Sequence, residues 1–203
     1  HPGVMKIYPR PSSSPFLYHL CELIEGQTLR QWMRDNPKPA LEQVRDITFS
    51  IVRAIRAFRR MGMVHRDLKP ENIMVKPGGQ AVVIDFGTVQ IDSLNEMVSS
   101  TIEPIPVGSV GYLAPEYWQG QLGQHRSDIF SLGVIVYEML TAELPYQESL
   151  METNNPRNAE HWRYQSLLQK RKDLPVWLDL TLKKACQTTP TKRYQALSEF
   201  EAD

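Results

Sequence analysis

The chain has 203 residues, enough for one domain with a sizeable core, and its 23 Lys and Arg are balanced by 23 Asp and Glu. That balance excludes the global basic field of a nucleic-acid binder and the acidic excess of a solvating tail, so partners must be sought at local sites. The longest apolar run, IFSLGVIVYEML over 129–140, carries Glu138 and falls short of the roughly 20 residues a bilayer span requires.

Cys21 and Cys186 lie far apart with no Cys-x-x-Cys or histidine spacing, which fits reduced thiols and predicts a cytoplasmic setting. The chain opens on His1 without a charged-then-apolar leader and stops at FEAD inside a helical pattern, so both ends are expected to be cut.

From the N-terminus, VMKIY (4–8) and FLYHLCEL (16–23) predict two short strands, antiparallel and joined by PRPSSSP, which cannot be helical. Leu41, Val44, Ile47, Ile51, Ile55 and Phe58 then recur at three- and four-residue steps with Gly62 as a stop, predicting an amphipathic helix over 41–61. Arg53, Arg56, Arg59 and Arg60 form its solvated face; without interleaved stacking aromatics they are not a nucleic-acid helix. NIMVK and AVVID flank a KPGGQ turn and predict a hairpin. Helices are expected over 128–141, 157–170, 175–186 and from 195 onward, with Pro175 and Pro190 near helix starts. A small amount of sheet followed by many helices makes the fold class α+β.

The hairpin sets HRDLKPEN (65–72) beside DFG (85–87). Moving a phosphoryl group to a hydroxyl needs a carboxylate to orient the hydroxyl and accept its proton, hard oxygen ligands for Mg²⁺, and a cation near the moving charge. Asp67 suits the base, Asn72 and Asp85 the metal ligands, and Lys69 the cation. His65 could equally be a core histidine.

HRDLKPEN, DFG and APE (114–116) together are the signature set of eukaryotic-type protein kinases, and the chain resembles their C-terminal lobe over nearly its whole length. The resemblance implies ATP and Mg²⁺ as cofactors and a protein substrate. It also implies a division into 1–24, the last N-lobe strands and hinge, and 25–203, the C-lobe, with a catalytic loop at 65–72 and an activation segment at 85–116. It further implies that Cys21 gates the back of an adenine pocket, that backbone groups of Glu22 and Ile24 bond the base, and that Met74 lies against its face. GSVGYLAPE, including Gly108, Ser109 and Glu116, resembles the substrate platform; Glu116 would pair with Arg193, and Asp128 would hold backbone N–H groups of the catalytic loop. His65 and Arg66 take supporting roles in that loop.

Lys69 and Ser109 favour serine and threonine acceptors within the resemblance. Phe130, where many such kinases carry tryptophan, and DFGTVQ depart from the pattern. Arg66 could bind a phosphate on the activation segment, but Ile105 stands at the usual acceptor position, leaving constitutive activity or control through Thr101, with Ser99 and Ser100 as lesser candidates.

EGQTLRQWM, PKPALEQVRDI and TKRYQALSEF look most like bacterial kinases fused behind a metal-dependent phosphatase domain, whose parent chain could be membrane-tethered elsewhere. No G-x-G-x-x-G occurs, and Lys6 is expected to be an exposed strand lysine rather than a phosphate clamp. Two other readings stay open: a pseudokinase used as a binding module, against which Asp67, Asn72 and Asp85 count, and a small-molecule kinase, against which GSVGYLAPE counts.

Overall fold

The computed structural model describes residues 1–10, 16–85, 87, 89–91, 111–121, 123–147, 149 and 159–203. Gly108, Ser109, Ile105, Ser99, Ser100, Thr101 and Phe86 therefore lie outside the described residues.

The two N-terminal strands pair antiparallel as expected but are only β1 (Ile7–Tyr8) and β2 (Leu20–Cys21). Two residues per strand bury nothing on either face, and Ile7, Tyr8, Leu20 and Leu23 remain exposed. Just before β1, Val4 bridges Val83 in parallel, and Met5 N–H donates to Val83 O at 3.0 Å.

β3 (Gln27–Thr28) runs into α1 (Leu29–Asp35), an element the periodicity did not predict because it spans two turns and buries only Leu29 and Trp32. Its start is set by a capping box. Gln31 N–H donates to Thr28 Oγ1, while Gln31 Oε1 accepts from Thr28 N–H at 3.0 Å.

α2 (Leu41–Arg60) follows the expected bounds and buries Val44, Ile47, Ile51, Ile55 and Phe58 along one stripe. Gly62 ends it at φ 64°, the left-handed geometry that glycine adopts without a Cβ penalty. Arg53, Arg59 and Arg60 are solvated, and Arg56 pairs with Glu201 at 2.6 Å.

β5 (Ile73–Val75) and β6 (Ala81–Val83) form the expected hairpin, with Met74 opposite Val82, and β3 adds to its other edge with Thr28 opposite Met74. A pairing absent from the sequence reading joins β4 (Met63–Val64) to β7 (Gln90–Ile91).

α3 (Pro115–Trp118) is a single turn, and α4 (His125–Thr141) begins three residues before its expected start. α4 is buried all round, from Ser127 through Leu140. It packs on α2 and on α5 (Val176–Ala185), so closely that a Cβ on Gly133 would meet Ala185 Cβ and Cys186 Sγ at 2.9 Å. α6 (Leu197–Ala202) closes the chain.

The helix expected over 157–170 is corrected. The described part holds only the 3₁₀ turns Ala159–His161 and Leu167–Gln169. Its backbone is spent on tertiary partners: Gln165 N–H donates to Pro145 O at 2.9 Å and Leu167 N–H to Asp179 Oδ1 at 2.9 Å. Tyr164 and Trp162 pack against Tyr146 from an irregular chain, which mimics helical spacing without forming a helix.

Candidate active site

Two strand pairings build the site. β4 pairs with β7 on one side and β5 with β6 on the other, so the loop at 65–72 and the segment at 84–89 are each anchored at both ends to the same two ladders. The second ladder runs one step further, with Ile84 N–H donating to Asn72 O at 2.9 Å, which brings Asp85 alongside the 3₁₀ turn Pro70–Asn72.

Within the first loop, Asp67 Oδ2 accepts from Lys69 Nζ at 2.6 Å and from Asn72 Nδ2 at 3.0 Å. Asn72 Nδ2 also donates to Asp67 O at 2.9 Å, so the amide nitrogen is committed and the amide oxygen meets no donor among the described residues. The Asp67 carboxylate keeps 11% of its side-chain surface in solvent, and Lys69 keeps 23%. Lys69 is thus directed at the carboxylate itself.

Arg66 and Asp85 both adopt left-handed φ, 71° and 64°, a conformation costing non-glycine residues roughly 1–3 kcal/mol unless the surroundings impose it. The surroundings are visible in both cases. Asp128 Oδ1 accepts from Arg66 N–H at 3.1 Å and its Oδ2 from His65 N–H at 2.9 Å, while Asp85 Oδ1 accepts from Gly87 N–H at 3.0 Å. The Arg66 guanidinium lies 5.7 Å from the Tyr117 ring centroid.

Burial pushes Asp128 up to about 6, against the lowering effect of the two N–H donors. His65 is fully buried beside Phe58, and burial pushes it down to about 4 despite Asp67 and Asp85 nearby. A neutral imidazole at this position is a packing group rather than an acid–base catalyst at neutral pH.

Among the described residues no group of three or more His, Cys, Asp or Glu side chains forms a metal cage. The donor set at Asn72 and Asp85 still fits Mg²⁺, which takes hard oxygen ligands and is commonly held by one or two protein side chains plus phosphate oxygens and water.

Of the adenine-contact candidates, Met74 is half-buried at the centre of the β3–β5–β6 sheet. Cys21 is exposed on β2. Glu22 N–H donates to Lys6 O at 2.9 Å, and Glu22 Oε2 accepts from Lys6 N–H at 3.3 Å; the Lys6 side chain is solvated. Ile24 is half-buried in the segment leading to β3.

Glu116 and Arg193 form a bidentate pair at 2.8 and 2.7 Å, with the guanidinium 4.8 Å from the Phe130 centroid.

The motifs did not reveal a second network. Arg30, on α1, donates through Nε to Glu71 Oε1 at 2.8 Å, through one terminal nitrogen to Glu138 Oε1 at 2.6 Å, and through the other to the Tyr112 hydroxyl, which itself donates to Glu138 Oε2. Burial opposes the charge on Arg30, but these hydrogen bonds outweigh it and raise its pKa. The available signal was Glu138, a lone carboxylate in an apolar run, which must find a buried partner.

A family model for the protein kinase domain matches residues 1–201. Serine/threonine-protein kinase PknB of Mycobacterium leprae is 31% identical over 210 residues, covering 100% of this chain and 33% of its own length. PrkC of Bacillus subtilis, named a serine/threonine-protein kinase, is 32% identical, covering 100% of this chain and 31% of its own length. PknD of Chlamydia abortus, likewise named, is 30% identical over 228 residues. The chain therefore spans about a third or less of the length of these relatives.

Proposed function

We propose, from the premise that this chain belongs to the protein kinase family, that the Asp67 cleft transfers the γ-phosphoryl group of ATP to serine or threonine hydroxyls of protein substrates. The observation that carries the reading is the convergence of Asp67, Lys69 and Asn72 within hydrogen-bond distance on a loop anchored next to Asp85.

In this reading Asp67 orients the acceptor hydroxyl and takes its proton as the oxygen bonds to the γ-phosphorus and the bond to the β–γ bridging oxygen breaks, with ADP leaving. Lys69 and Asn72 fix the carboxylate's angle through Oδ2. Lys69 also places a positive charge beside the transferring group. Bound ATP with Mg²⁺ supplies the phosphoryl group and neutralises its charge, and Asp85 with the Asn72 amide oxygen would hold the metal. Asp128, which accepts from two consecutive loop N–H groups, keeps Asp67 in register. Met74, Cys21 and the backbone of Glu22 and Ile24 would form the adenine wall, and Gly108, Ser109 and Glu116 the protein-substrate platform.

The division into residues 1–24 as N-lobe remnant and hinge and 25–203 as C-lobe belongs to the same proposal. It is supported by the exposure of Ile7, Tyr8, Leu20 and Leu23 on a β1–β2 ribbon that has no further strand among the described residues. Fusion of the parent chain to a metal-dependent phosphatase domain is also a proposal, carried by sequence phrases alone. No helix of the described residues is long and apolar enough to cross a membrane.

The test is transfer of radiolabelled phosphate from ATP to a serine- or threonine-containing protein by the full-length protein. Asp67→Asn should lower turnover about 10²- to 10⁴-fold at saturating ATP while leaving nucleotide affinity nearly unchanged. A variant within a few-fold of the parent would overturn the assignment of the base.

A further inference from the structure

α5 packs one side on α4, with Leu178, Leu182 and Ala185 buried, and shows the other to solvent. At about 100° per residue, Val176, Trp177, Leu180, Lys183 and Lys184 fall within an arc of about 120°. All five are exposed: Val176 at 62%, Trp177 at 53% and Leu180 at 59%, with both lysines in the last turn. The helix thus holds its largest side chain in water. Its only acid, Asp179, turns inward and accepts from the Ser166 hydroxyl at 2.7 Å, Leu167 N–H at 2.9 Å and the Tyr164 hydroxyl at 3.1 Å. The exposed arc therefore carries two cations and no anion. Before the helix, Asp173 has both carboxylate oxygens held by Arg171 at 2.9 and 2.8 Å, with exposed Lys172 next to it and Lys38 nearby. At the other end Lys184 Nζ sits 3.9 Å from the centroid of the Tyr194 ring, whose hydroxyl donates to Asp203 at 2.8 Å.

We propose that this face of α5 docks on an anionic lipid surface: Val176, Trp177 and Leu180 enter the boundary between headgroups and acyl chains, and Lys183 and Lys184 meet the anionic headgroups. Tryptophan is suited to that boundary, and lysine stems can lie along apolar surface while their charges stay at headgroup level. A second copy fits the face poorly. Antiparallel packing would bring Lys183 and Lys184 to Lys172 and Arg171 of the other copy, and parallel packing would bring them to each other, cation against cation either way. Three half-exposed apolar side chains also present roughly 300 Å², well under the about 800 Å² per partner of a stable protein interface. A lipid surface asks for neither matched shape nor that area. The inference concerns where the chain sits and goes beyond the chemistry at Asp67.

The experiment sediments the full-length protein with vesicles of phosphatidylcholine alone or of equal parts phosphatidylcholine and phosphatidylglycerol. Partition should favour the anionic vesicles. Lys183→Gln and Lys184→Gln should each lower it about fivefold, the worth of one lysine near an anionic surface. Leu180→Ala removes three carbons that are a little over half accessible and should lower it about tenfold. A second measurement places the contact whatever else in the protein touches lipid: the rate at which a maleimide modifies Leu180→Cys, followed by peptide mass to separate it from the exposed Cys21. Anionic vesicles should slow that rate and neutral vesicles should not, and adding Lys183→Gln with Lys184→Gln should restore it. Equal rates with the two kinds of vesicle, whether both slow or both fast, would overturn the inference. So would a rate that falls with protein concentration in the absence of lipid and recovers on Trp177→Ala, which would show that a second copy covers the face.

Discussion

The Glu116–Arg193 pair should be the most sensitive polar contact among the described residues. Its side chains keep 5% and 0% of their surface in solvent. Every N–H of the guanidinium is spoken for: Nε donates to Gln187 O at 2.6 Å, one terminal nitrogen to Glu116 Oε1 and Arg126 O, and the other to Glu116 Oε2 and Thr188 O. Glu116 also accepts from Ser127 Oγ at 2.6 Å.

Glu116→Ala leaves a buried cation with three carbonyl partners and no counter-charge, which should cost about 3–5 kcal/mol. Arg193→Met should cost as much or more, since it strands the carboxylate and removes the donor from three carbonyls at about 1 kcal/mol each. At roughly 2–4 °C per kcal/mol for a chain of this size, either change lowers Tm by on the order of 10 °C. Urea denaturation of the parent, both single variants and the Glu116→Ala/Arg193→Met double variant closes a cycle. The double variant should recover at least 2 kcal/mol of the summed losses, because neither charge is then buried alone. Additive losses, or a Glu116→Ala cost below about 1 kcal/mol, would refute the claim that these charges depend on each other.

Asp85→Ala should weaken nucleotide binding by the full-length protein far more with Mg²⁺ than without it, measured by calorimetry; equal losses would make Asp85 structural. Asp128 has a folded pKa raised to about 6, so it adds stability at low pH that is lost as pH rises through 6. The parent should therefore gain about 1 kcal/mol over Asp128→Asn between pH 7 and pH 5, and parallel urea midpoints would sink the assignment. The 203-residue chain contains no G-x-G-x-x-G, so by itself it should bind ATP weakly and show no turnover in a radiolabel assay. Robust Asp67-dependent transfer by the chain alone would contradict that.

Long elements were legible in the sequence because their signal is repeated. α2 shows its stripe over five turns, and the β5–β6 hairpin is marked by its KPGGQ turn. The residues of the 65–72 loop stood out because their types and order match what the proposed chemistry requires. Short elements did not. β3, β4 and β7 are two-residue strands that exist only through pairing with distant partners. α1 was missed although Thr28 and Gln31 carry a capping-box spacing, since one buried Leu and one buried Trp make no period. The false helix at 157–170 arose because Trp162, Tyr164 and Leu167 serve an aromatic cluster and the Asp179 carboxylate, not each other. The Arg30 network escaped for a plainer reason: its partners lie 41, 82 and 108 positions away.

α4 shows why fold and site cannot be adjusted independently. A helix buried on every side should be uniformly apolar, yet α4 buries Ser127, Asp128, Ser131 and Glu138. At about 100° per residue, Ser127, Ser131 and Glu138 fall within about 40° of one another, and Asp128 stands about 100° from Ser127. The first stripe meets Glu116, the Tyr112 carbonyl and Arg30 in turn, while Asp128 alone meets the two N–H groups that hold the Asp67 loop. Gly133 lies on a third side, where α5 leaves no room for a Cβ. The helix thus distributes its contacts to Glu116 and Tyr112, to the 65–72 loop and to α5 around its circumference by angle. A rotation that relieved crowding at Gly133 would carry Asp128 away from His65 and Arg66, releasing the left-handed Arg66 that precedes Asp67. Close packing of α4 against α5 is therefore a condition for the geometry of Asp67, even though neither helix contributes a side chain that touches it among the hydrogen bonds described.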